Sequence, residues 1–84
     1  MSMLKVSVIS PEAVLFEGET ESVIAPAYDG EVGILTGHAP LMALLGNGEL
    51  RLGGGGGSRF KVSGGFMQVL NNEVRVVTEK ATTA

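Results

Sequence analysis

The 84-residue sequence predicts an all-β fold, a flattened antiparallel β-sandwich or barrel of about nine short strands. Three observations point there. Apolar residues alternate with polar ones in short runs along the chain, the period of a half-buried strand. No run sustains the i, i+3, i+4 spacing of a helix. Breaks containing Gly, Pro, Asn or Ser separate the runs at close spacing, as in sandwiches and barrels.

The elements follow in order. Leu4, Val6 and Val8 alternate with Lys5 and Ser7, and Ser10-Pro11-Glu12 breaks the pattern, so residues 3–9 read as a strand followed by a turn. Val14–Phe16 and Thr20–Ile24 give two β-rich runs around Gly18. Glu17, Glu19 and Glu21 share one parity, which places an acidic row on the solvent side and guards an edge against foreign strands. Val32–Leu35, between Gly30 and Gly37, and Leu41–Leu45, ending at Gly46-Asn47-Gly48, read as buried apolar strands. Glu49–Leu52 and Arg59–Val62 flank Gly53–Ser58, whose composition is that of a flexible hairpin tip. Those glycines make no phosphate cradle: Ser58 takes the last position of GxGxxG, and no Gly-Lys-Ser/Thr follows. Gly65–Leu70, Asn71-Asn72 and Glu73–Thr78 form the clearest hairpin, because both asparagines tolerate the positive φ of a type I′ turn. Residues 1–78 thus read as one domain, and residues 79–84 as a tail with neither cap nor core residue.

Composition removes several function classes. A chain of this length holds one modest core. The net charge of −3, with six Lys and Arg scattered along the sequence, gives no electrostatic footprint for nucleic acid. The lack of cysteine removes disulfides, thiolate metal sites and thiol redox chemistry. The apolar run Ala39–Leu45 contains Pro40 and is far shorter than the ~20 residues of a membrane helix. No charged and apolar leader pattern precedes the first strand.

The stretch "AYDGEVGILTGHAPL", residues 27–41, concentrates the residues of chemical interest: the sole His38 with Asp29, Glu31 and Pro40. A metal would need three or four converging ligands, and one imidazole with two loop carboxylates is a poor set. Ser10, His38 and Asp29 contain the residue types of a nucleophile, base and orienter, but no nucleophile elbow or oxyanion arrangement accompanies them. Asp29 and Glu31 in an exposed loop lack the burial that would separate an acid from a base. Two readings stay open: a tight connection, or a contact loop held on a rigid sheet.

The order of motifs resembles the amino-terminal β-domain of the epsilon subunit of bacterial F-type ATP synthase, called delta in mitochondria. "VSVISPEAVLFEGETESVIAP" resembles its opening strands, "DGEVGILTGHAPL" its hallmark loop, "GELRL" its central strand and "VSGGFMQVLNNEVRVVTE" its closing hairpin. The resemblance implies a ten-stranded sandwich at the foot of the central stalk, one strand more than the pattern count. It further implies a non-catalytic rotor subunit that couples gamma to the c-ring during proton-driven ATP synthesis. The implied place is peripheral, on the cytoplasmic face of the bacterial inner membrane within the F1 sector, touching the membrane only through the complex. By the same resemblance Asp29, Gly30, Glu31 and Gly33 face the ring of c subunits, and Ser10, His38 and Ala43 face gamma. The family usually continues into two α-helices that bind ATP in some members; the sequence ends at Ala84 without them, so no cofactor is expected. Gly53–Ser58 stands where relatives carry a more varied, often charged turn, and pairing of Leu50–Leu52 with Phe60–Val62 is expected to survive it. The alternative is a biotinyl or lipoyl carrier domain, suggested by "VIAPAYDGEV". A carrier needs a lysine at a hairpin tip, whereas Lys5 and Lys61 fall in strands and Lys80 in the tail.

Overall fold

The computed structural model describes residues 3–53 and 57–83. Ten strands form, and no helix appears among the described residues: β1 (Leu4–Ile9), β2 (Val14–Thr20), β3 (Ser22–Ala27), β4 (Gly30–Leu35), β5 (Leu41–Leu44), β6 (Asn47–Leu52), β7 (Arg59–Ser63), β8 (Phe66–Leu70), β9 (Glu73–Val77) and β10 (Lys80–Thr83). They make two five-stranded sheets. Sheet I has the order β2-β1-β9-β8-β5, and sheet II the order β10-β7-β6-β3-β4. The all-β sandwich expectation holds, and so does the strand number implied by the family resemblance.

Alternation builds the core. Leu4, Val6 and Val8 of β1, Met67 and Val69 of β8, and Val74 and Val76 of β9 turn inward from sheet I and are buried. Val23 and Ala25 of β3, Leu50 and Leu52 of β6, and Phe60 and Val62 of β7 meet them from sheet II. Each fully buried side chain of this size contributes about 1.5–3 kcal/mol. Phe16 and Phe60 join the sheets edge to face, with ring centroids 6.4 Å apart.

Local chemistry explains the connections. Asn71 (φ 50°) and Asn72 (φ 61°) supply the two left-handed residues of the β8–β9 turn, as their spacing predicts. Gly65 has φ 102°, and a Cβ there would collide with the Val77 carbonyl, so only glycine fits where the chain enters β8. Leu50 pairs with Phe60 as expected, and the Leu52 N–H donates to the Ser58 carbonyl at 2.9 Å. The glycines 54–56 of the expected flexible tip lie outside the described residues.

The structure differs from the sequence reading in four places. Gly18 does not interrupt a strand: β2 runs through it, paired with Val6, and the bend falls at Glu21. Leu35, Met42 and Leu44, expected inside, are 64%, 65% and 68% exposed, because β4 and β5 are edge strands with one dry face each. Residues 80–83 are no free tail. They form β10 on β7, with Ala81 packed on the core and the buried Thr78 hydroxyl turned toward the carbonyls of Gly64 and Lys80 at 3.0 and 2.9 Å. Finally, β1 and β9 pair in parallel within an otherwise antiparallel sandwich.

Candidate interaction site

The outer face of sheet I reads in three rows, set by the strand register. At one end Val14, Ile9, Val77, Phe66 and Leu44 stand side by side across all five strands. Four interstrand spacings make this apolar row about 19 Å long. Val14 and Leu44, at its two ends, are 59% and 68% exposed, and Ile9, Val77 and Phe66 between them are half-buried. The next row holds Glu17, Ser7, Arg75, Gln68 and Met42, and the third holds Glu19, Lys5, Glu73 and Leu70. The face therefore grades from apolar to charged along the strands. Monomeric proteins rarely leave a contiguous apolar strip uncovered without a use for it.

The β3–β4 hairpin closes beside this row. Tyr28 and Asp29 form its turn, Tyr28 is 81% exposed, and the Tyr28 N–H donates to the Leu44 carbonyl at 2.8 Å. Gly30 leaves the turn at φ 137° with nothing within 4 Å of where a Cβ would lie. Asp29, Gly30, Glu31 and Gly33 are thus one continuous stretch, the hairpin tip and the edge strand of sheet II. Glu31 is already engaged within the chain. Its Oε2 accepts a hydrogen bond from the Arg51 guanidinium at 2.8 Å. Because Glu31 pairs with Pro26 and Arg51 with Ile24, this bridge runs diagonally over the outer surface of β3. Both side chains are substantially exposed, so the pair adds only about 0–1 kcal/mol.

The three residues expected to face gamma do not cluster. Ser10 caps the β1–β2 turn, where its N–H donates to the Ala13 carbonyl at 2.9 Å. It borders the apolar row. His38 lies half-buried before β5, with its N–H on the Leu35 carbonyl at 3.2 Å and Nδ1 2.7 Å from the Ala39 carbonyl. The neighbouring Gly37 N–H donates to Asn72 Oδ1 at 2.6 Å, and the Asn72 carbonyl accepts from Lys5 at the start of β1. Ser10 and His38 therefore occupy diagonally opposite corners of sheet I. Ala43 sits on β5 between the outward Met42 and Leu44, its own side chain turned inward opposite Met67.

Reactive chemistry gains no support from this placement. Ser10 and His38 are separated by the length of β1, about 20 Å, so they cannot act on one substrate atom. Among the described residues no three His, Cys, Asp or Glu side chains gather as a metal site. On the outer face of sheet II, Arg51, Arg59, Lys61 and Lys80 share one surface, with Glu49 opposite Lys61 and Glu31 bridged to Arg51. No helix of the described residues is long and apolar enough to cross a membrane.

The apolar row is the part of the site that motif reading missed. Its signal was present in the parity. Phe66 and Leu70 are apolar on the face opposite Met67 and Val69, and Leu41–Leu45 is apolar on both. A strand that is apolar on both faces is either sandwiched or waiting for a partner.

Comparison with known proteins agrees with the fold. Residues 3–84 match the family profile described as ATP synthase, Delta/Epsilon chain, beta-sandwich domain. The chain is 46% identical over 79 residues to the ATP synthase epsilon chain of Synechococcus sp. strain JA-2-3B'a(2-13), covering 93% of this chain and 58% of that protein. It is 46% identical over 77 residues to the epsilon chain of Leptospira interrogans serovar copenhageni, covering 90% and 61%. The chain thus spans about three fifths of the length of these curated relatives. Among solved structures, a chain of the Euglena gracilis mitochondrial ATP synthase assembly of OSCP, F1 and c-ring superimposes with TM-score 0.89 at 22% identity, covering 99% of this chain and 54% of that one. A chain of the Tetrahymena thermophila mitochondrial ATP synthase central stalk and c-ring gives 0.79 at 13%, covering 96% and 66%. Carrier domains find no support in these matches. With a profile match across nearly every residue and curated relatives at this identity, the chain belongs to the ATP synthase delta/epsilon family, as its β-sandwich domain.

Proposed function

We propose that this domain is a non-catalytic element of the rotor, a stiff wedge that seats the gamma subunit on one face and the ring of c subunits at its β3–β4 tip. The apolar row across sheet I carries the reading. A partner laid over the whole outer face of sheet I would cover that row and meet Ser10 and His38 at opposite corners, which gives the dispersed trio a common role. Ala43 then acts from behind, fixing the edge strand that presents Met42 and Leu44. The tip residues Asp29 and Gly30, with Glu31 and Gly33 on β4, project from the other sheet and leave room for a second partner. The two solved chains of like fold sit in assemblies named for OSCP, F1 and c-ring and for central stalk and c-ring, which supports a place near the ring.

Torque transmission needs rigidity, and a sandwich whose sheets share one core supplies it without any bond being made or broken. The place of such a domain is the F1 sector, peripheral to the cytoplasmic face of a bacterial inner membrane through the complex alone. Hydrogen exchange of the full chain, free and titrated with purified gamma, tests the reading. Protection is expected in β5, β8 and the Ser10 turn. Absence of binding, or protection confined to β7 and β10, would overturn it.

A further inference from the structure

We infer that β4 is an open template and that a second copy of this chain pairs with it, antiparallel, with Gly33 on the two-fold axis. The hydrogen-bond pattern of β3 dictates which β4 groups are free. Pro26 has no N–H, its carbonyl accepts from Gly46, and the Ser22 carbonyl accepts from Gly53. Val23, Ala25 and Ala27 therefore bond to Ile34, Val32 and Gly30. The backbone groups of Glu31, Gly33 and Leu35 then point away from the sheet, and among the described residues only the Leu35 carbonyl has a partner there, the His38 N–H.

The other edges are guarded. β2 carries Glu17 and Glu19, β10 begins with Lys80, and β5 has only four residues and is partly closed by the Tyr28 N–H on its Leu44 carbonyl. β4 has only Glu31, and that carboxylate is turned aside onto Arg51.

Self-pairing suits this strand. One register uses all three outward residues of both copies: Gly33 opposite Gly33 and Glu31 opposite Leu35, about four hydrogen bonds between free groups, with two more falling on the Leu35 carbonyls that already accept from His38, in a closed, isologous contact. Glu31 then never faces its own copy. Gly33 brings no side chain to the axis, and nothing lies within 4 Å of where one would be. A single-strand contact buries less than the about 1,000 Å² of a stable interface, so pairing depends on concentration. The inference does not rest on the rotor reading. If both hold, the pair is the unassembled state, since the same strand carries Glu31 and Gly33 of the proposed c-ring contact.

Cysteine cross-linking of the full chain tests it, because the sequence has no cysteine of its own. In the proposed register the Gly33 Cα atoms lie about 5.5 Å apart, within disulfide reach. At millimolar protein, Gly33→Cys treated with diamide, which takes up both electrons and both protons as the two thiols join, is expected to give a covalent dimer. Adding Leu35→Glu, which sets a like charge opposite Glu31, is expected to cut the yield at least tenfold. Circular dichroism checks that both variants fold. In the unmodified chain the amides of Glu31, Gly33 and Leu35 are expected to gain exchange protection as concentration rises. A Gly33→Cys yield no greater than that of Leu44→Cys on sheet I, or concentration-independent exchange of the three amides, would overturn the inference.

Discussion

Leu44→Ala isolates the contribution of the apolar row to partner binding. Leu44 is 68% exposed and lies at one end of the row, next to Phe66. Full burial of a leucine side chain gains about 1.5–3 kcal/mol, so covering the exposed two thirds in a complex gains about 1–2 kcal/mol. Truncation to alanine removes most of that, and the dissociation constant for gamma is expected to rise about 5- to 30-fold. The same exposure predicts a small effect on the free domain, within about 0.5 kcal/mol, because little of the side chain is buried against its own fold. Isothermal titration with purified gamma reads the first quantity, and urea unfolding of the free chain reads the second. The two together separate an interface residue from a structural one. An affinity unchanged within twofold, for Leu44→Ala and again for Val14→Ala at the other end of the row, would refute the assignment of sheet I as the gamma-facing surface.

Three further outcomes follow from the geometry. Thr78→Val keeps the shape of the β9–β10 corner but removes the hydroxyl that serves the Gly64 and Lys80 carbonyls, so urea unfolding should show a loss of about 1–3 kcal/mol with the slope unchanged. Gly65→Ala forces a Cβ onto the Val77 carbonyl at a left-handed residue, and a fall in melting temperature of about 10 °C or more is expected by calorimetry. Glu31→Gln breaks only an exposed bridge to Arg51. Stability should drop by no more than about 1 kcal/mol, by an amount that shrinks as salt is added, whereas salt-insensitive loss would show that the bridge is more than a surface pair.

Much of this architecture could be read from local pattern. Leu4, Val6 and Val8 declare β1 by alternation alone, and Asn71-Asn72 declares its turn because few residues accept positive φ twice in succession. Pairing over long sequence distances leaves no such mark. Nothing near Val6 says that its neighbour is Val74, in parallel. The sidedness of β5 is equally hidden, since an all-apolar strand looks the same whether covered on both faces or one. Lys80–Thr83 is too short and too polar to announce a strand, and it is held by Thr78 and by Ala81 on the core. The β4 stretch from Asp29 to Gly33 was legible because glycines and carboxylates are conspicuous. The row from Val14 to Leu44 was not, because its five members come from five strands and only the register brings them into line.

The parallel contact between β1 and β9 also governs how the molecule is made. β1 sits second in sheet I, between β2 and a strand that is synthesised near the end of this segment. As the chain emerges from the ribosome, the β1–β2 hairpin waits with the other backbone edge of β1 unpaired until residues 73–77 arrive. Such distant closure slows folding and leaves a strand edge unpaired in the nascent chain. Sheet I is therefore completed late, and the outer face proposed for gamma does not exist until nearly all of these residues have been translated.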